Sequence, residues 1–87
     1  MNYTRTDQEV ARFMLADHDE TGQWRRLNPN DIVSQTSLTA DQVHECVLRL
    51  GEGDLIEEVQ AINADGQLRV TTFGKLTDQG ILLAQSP

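Results

Sequence analysis

Three consecutive stretches decide the fold: Asn28-Pro29-Asn30-Asp31-Ile32-Val33-Ser34-Gln35, then Thr36-Ser37-Leu38, then Thr39-Ala40-Asp41-Gln42-Val43-His44-Glu45-Cys46-Val47-Leu48-Arg49-Leu50. Proline directly after an Asn cap is a common helix opening, because its missing amide would be unpaired in the first turn anyway. A short helix is therefore expected from Pro29 to about Gln35. Thr36-Ser37-Leu38 interrupts it, and Thr39 with Gln42 three residues on forms a capping box that starts another helix at once. In that helix Val43, Cys46, Val47 and Leu50 fall on one face, which turns Asp41, Gln42, His44, Glu45 and Arg49 toward solvent. Gly51 and Gly53 end it. Two helices joined this tightly are a helix-turn-helix candidate.

Working outward, Thr6-Asp7-Gln8-Glu9 has the spacing of a capping box and predicts a first helix beginning there. Val10, Phe13 and Met14, with Leu15 beside them, supply its core-facing stripe, and Gly22 closes it after about residue 20. Trp24-Arg25-Arg26-Leu27 alternates apolar and basic residues over four positions, which suits a short strand or an extended linker with both arginines outward. From Leu55 to Ile62 and again from Gln67 to Phe73 the period is two, with Asn63-Ala64-Asp65-Gly66 between, so a hairpin is expected. A two-residue primed turn at Asp65-Gly66 sets Ala61 opposite Val70 and Val59 opposite Thr72 on one face. Glu58, Gln60, Arg69 and Thr71 then share the wet face. Thr77 caps a short closing helix that carries Ile81, Leu82, Leu83 and Ala84. The fold class is α+β, with three helices, a two-stranded hairpin and a short C-terminal helix in one domain spanning 1–87.

The totals bound what such a domain can do. Eighty-seven residues, 38% of them hydrophobic, suffice for one compact core, and no apolar run approaches the ~20 residues of a membrane span. The polar stretch from Met1 to Glu9 lacks a hydrophobic leader, so a cytoplasmic location is the expectation. Cys46 is the single cysteine, which excludes an intrachain disulfide and a multi-cysteine zinc site and leaves it as a small core residue. Fourteen acidic groups against seven basic ones give a formal net charge of -7, the reverse of the usual nucleic-acid-binding balance. Local distribution decides binding, however, since a cationic stripe can sit on an acidic body or be completed by a second subunit.

This order of elements resembles the winged helix-turn-helix superfamily, especially regulators of the MarR and PadR type. Ile32-Val33, Leu38, Val43, Val47, Leu50, Gly53 and Leu55-Ile56 carry the resemblance in the helix-turn-helix and the entry to the wing. Leu76-Thr77-Asp78-Gln79-Gly80 is similar to the Leu-Thr-x-x-Gly that often follows the second wing strand. The resemblance implies that the helix from Thr39 to about Leu50 is a recognition helix for the major groove, with the wing beside it. It assigns nucleic-acid contacts to Ser37, Thr39, Gln42, His44, Arg49 and Arg69, supplemented by Arg25, Arg26 and Lys75 where the fold gathers them. Asp41 and Glu45 depart from that pattern, because they would face a polyanion directly.

Other constellations have plainer readings. His44 and Cys46 lie two residues apart on a helix and point to different faces, so neither a metal nor a nucleophile pair is expected. His18-Asp19-Glu20 reads as a solvated helix end, and Trp24 as a plug at the core edge. Leu82 and Leu83 either cover the core or build a dimer contact. No enzyme and no cofactor are expected. Two classes of function remain. One is a DNA-binding regulator, with a homodimer as its natural state; the other is an acidic module that docks on a basic protein partner.

Overall fold

The computed structural model describes residues 3–87. Helix α1 spans Arg5–Thr21, α2 Pro29–Val33, α3 Ala40–Glu52 and α4 Asp78–Gln85, while strands β1 Gln60–Ala64 and β2 Gln67–Thr72 form the hairpin between α3 and α4. The first helix opens two residues earlier than the Thr6 spacing predicts. Thr4 is the cap: its hydroxyl accepts from the Asp7 amide at 3.1 Å, and the Asp7 carboxylate accepts from the Thr4 amide at 3.0 Å. Asp7 is fully buried, so the box that uses it satisfies a core carboxylate as well as a helix end. Helices α2 and α3 begin as their sequences require, with Asn28 and Asp31 reciprocally bonded at one start and Thr39 and Gln42 at the other.

In the hairpin, Ala64 pairs with Gln67 and Ala61 with Val70. Asp65 and Gly66 between them have φ of 52° and 79°, the two left-handed residues of a type I′ turn whose twist matches the strands. The upper part of the hairpin departs from the expected alternation. Glu58 takes a φ of 62°, which removes it from extended geometry, and Ile56 makes only an isolated bridge to Leu76. A register shift between Gln60 and Ala61 places Gln60, not Val59, opposite Thr72. Val59 lies instead against the helix, its Cγ2 about 3.0 Å from where a Cβ on Gly51 would stand. Packing on α3 thus overrides the period-two pattern at the base of the wing.

Leu27 exchanges two 2.9 Å backbone hydrogen bonds with Phe73, so the extended segment after α1 borders the wing as a one-residue strand. The core between these elements is filled by Val10, Met14, Ile32, Val43, Cys46, Val47, Leu50 and Phe73. Phe13, Leu15, Trp24 and Leu83 pack on it from partly buried positions. Trp24 also stacks on the His18 ring at 4.2 Å. Helix α4 lies along α1, capped by the Thr77 hydroxyl. Gln8 donates to the carbonyls of Leu83 and Ser86 at 3.2 and 2.6 Å, and Arg12 to those of Ala84 and Ser86 at 3.1 and 2.6 Å. These bonds satisfy the free carbonyls at the end of α4. Among the described residues no helix is long and apolar enough to cross a membrane.

Candidate nucleic-acid interface

The buried stripe of α3 faces the core as expected, which leaves Ser37, Thr39, Asp41, Gln42 and Glu45 exposed around its first two turns. Thr39 and Gln42 are partly occupied by each other: Gln42 Oε1 accepts from the Thr39 amide at 2.9 Å and Thr39 Oγ1 from the Gln42 amide at 3.2 Å. The Gln42 amide nitrogen still points out as a donor. His44 is half-buried between helix and wing, where its Nδ1 accepts from the Val70 amide at 3.0 Å. Burial, then the neighbouring Arg69, lower its pKa below the ordinary 6.5, against a smaller opposing effect of Asp41. Neutral His44 is therefore a tie between α3 and β2, with its other ring nitrogen left as the donor.

Arg49 departs from its expected place. It turns inward toward α1, where Nε and NH2 grip both oxygens of Asp7 at 3.0–3.2 Å. Burial alone would raise the Asp7 pKa, but the bonds from Arg49, the Thr4 amide and Cys46 outweigh it and hold the carboxyl below its usual value. Redirecting this guanidinium to a phosphate would strand the buried carboxylate.

The remaining cations of the expected surface are mostly matched to acids as well. Arg25 holds Asp17 bidentately at 2.8–3.1 Å, beside Glu20 and Thr21 at the end of α1. Arg69 reaches Asp41 at 3.4 Å and Gln67 at 3.0 Å, and Lys75 lies 3.5 Å from Glu57. Among the described residues Arg26 bonds the Thr72 hydroxyl, at 3.3 Å, and no acid. The structure therefore brings Arg69 and His44 together at the mouth between α3 and the wing, whereas Thr39 and Gln42 are bonded to each other at the start of α3, Gln42 lining a separate hollow with Thr4, Thr6 and Arg49. Arg25, Arg26, Arg49 and Lys75 stand elsewhere.

Between α3 and the hairpin runs an open trough. Its upper part is lined by Asp41, His44, Glu45, Leu48, Leu68 and Arg69, and it continues at the wing base between Leu48, Glu52, Asp54, Glu58, Val59 and Leu68. Sequence reasoning missed this apolar floor, although Leu48 and Leu68 were legible as apolar residues off the core stripe.

No family model matches the chain, and no curated protein does. Among solved structures, the Adhesin competence repressor AdcR from Streptococcus pyogenes matches 95% of this chain and 53% of its own, at 18% identity and a TM-score of 0.61. A double mutant of ZitR from Lactococcus lactis matches 98% of this chain and 50% of its own, at 18% identity and a TM-score of 0.58. The chain spans about half the length of each. Three helices, a hairpin wing and a closing helix, with nearly the whole of this chain superimposing on about half of each of these proteins, give it the winged helix-turn-helix fold.

Proposed function

We propose that the chain is the DNA-reading module of a transcription regulator and carries no enzymatic activity. The observation behind this reading is the whole-chain likeness to AdcR and ZitR, combined with an exposed first half of α3 beside the wing's Arg69. In such a fold the start of the third helix enters the major groove while the wing flanks it. Gln42 then donates to base acceptors, Ser37 and Thr39 to phosphate oxygens, and Arg69 exchanges its exposed pair with Asp41 for a phosphate. That exchange costs little, because exposed pairs are worth about 0–1 kcal/mol. With few phosphate donors, affinity comes from base contacts and from the doubling of contacts in a homodimer on paired half-sites.

Selection of duplexes from a random library at low salt tests this. The expected outcome is one enriched motif, whose preference at one or two base pairs relaxes in Gln42→Ala. A library that stays unenriched after repeated rounds would contradict the reading.

A further inference from the structure

The trough at the base of the wing has a composition that DNA reading does not use. Its floor is apolar, made by Leu48, Val59, Ala61 and Leu68, with Leu68 itself 55% exposed. The space it encloses is about 600 Å³. Hairpin register puts Ala61 and Leu68 on the same face as buried Val70, since Ala61 pairs with Val70 and Asn63 with Leu68. Leu68 therefore continues the core face of the wing beyond the core and overhangs Leu48 of α3.

Charge around this floor is one-sided. The cations that reach its lining carboxylates are matched, Arg69 with Asp41 in the upper part and Lys75 with Glu57 at the wing base. Along the trough, Glu45, Glu52, Asp54 and Glu58 have carboxylates with no hydrogen bond or ion pair among the described residues. An apolar strip bordered by unpaired carboxylates fits a helix with apolar residues at i, i+3, i+4 and i+7 and cations on both flanks. A duplex fits it poorly, because phosphates would meet the same carboxylates.

We infer that the trough between the second half of α3 and the base of the wing is a docking surface for a cationic amphipathic helix of a partner protein. This goes beyond the DNA reading, which uses the first half of α3 and the wing tip. The acidic character that weakens contact with DNA is the feature that selects this occupant, and a helix seated there abuts His44 and Arg69 at the mouth of the DNA-reading face. Occupancy and DNA binding therefore oppose each other.

The test uses the full chain, labelled with ¹⁵N, and a synthetic leucine–lysine peptide of about 14 residues with leucines at helical spacing. A control peptide has the same composition with the spacing scrambled. The expected result is shift changes concentrated at Leu48, Glu52, Val59, Ala61 and Leu68, with much weaker effects from the scrambled peptide. Leu68→Ser should weaken binding about fivefold by removing exposed apolar contact. Glu52→Gln with Glu58→Gln should weaken it about tenfold at low salt. Leu82→Ser, at a site 65% exposed on α4, should leave it unchanged, and the amide spectrum confirms that each variant is folded. Equal binding of the scrambled peptide, shifts outside the trough, or indifference to Leu68→Ser would overturn the inference. A duplex that binds through Ser37–Glu45 while the peptide fails supports the DNA reading alone. A peptide that maps to the trough while no duplex is selected leaves this surface standing without it.

Discussion

Asp7 and Arg49 tie the first helix to the third through a carboxylate with no exposed surface and a guanidinium whose side chain remains 39% exposed. Removing the acid strands the base and unmakes the cap on Thr4. Asp7→Ala should cost about 2–3 kcal/mol in denaturant unfolding, less than the 3–5 typical of a wholly buried pair because water still reaches Arg49. Since the folded pKa of Asp7 lies below the ordinary 3.8, its contribution is present above pH 3.8 and is lost as pH falls through the depressed value. Asp7→Asn should flatten that acid limb of the stability curve. Cys46 beside it is buried, and desolvation together with Asp7 pushes its thiol up to about 12. It should label with a thiol reagent only at the rate of unfolding, and rapid modification at neutral pH would contradict this environment. The pairing of Arg49 was not legible in the sequence because its partner is 42 positions away. One local signal did exist: Asp7, Val10, Ala11 and Met14 share helical spacing and are all buried, so an acid begins an otherwise apolar stripe.

At the level of elements, the parts legible in the sequence are those set by bonds between near neighbours. The boxes Asn28–Asp31 and Thr39–Gln42, the cap at Thr77 and the Asp65-Gly66 turn are local side-chain or backbone solutions, and each appears where its residues stand. Thr6 misled because Thr4 offered an equally good box whose Asp7 also had a core partner. The wing base was illegible for the opposite reason. Glu58's left-handed turn and the shift at Gln60 serve the packing of Val59 over Gly51, and no local pattern encodes that contact. Two predictions belong here. Gly80 sits in α4 where a Cβ would strike the Leu55 carbonyl oxygen, so Gly80→Ala should destabilise by about 1–3 kcal/mol in spite of the better helix propensity of alanine. His44 accepts from Val70 only when neutral. As its folded pKa lies below 6.5, that tie persists at neutral pH and is lost as pH falls through the lowered value, with faster hydrogen exchange at the Val70 amide as the sign.

At the scale of the molecule, the net charge of -7 and the pairing of Arg25, Arg49, Arg69 and Lys75 with acids argue for weak non-specific attraction for DNA. Affinity for random duplex should be poorer than the ~10⁻⁴ to 10⁻⁶ M common at physiological salt. The acidic balance is visible in the composition, whereas the pairing of Arg25, Arg49, Arg69 and Lys75 needed the three-dimensional arrangement. On the proposed function, the first half of α3 meets DNA despite its acids. The decisive measurement is an anisotropy titration of a selected duplex with the native chain and with Asp41→Asn/Glu45→Gln. The pair of substitutions removes two exposed negative charges from that face and frees Arg69 from Asp41, while the buried stripe is untouched. Binding should tighten several-fold at low salt, with the gain shrinking as salt rises. Unchanged or weaker binding by the folded variant would show that this face does not meet DNA.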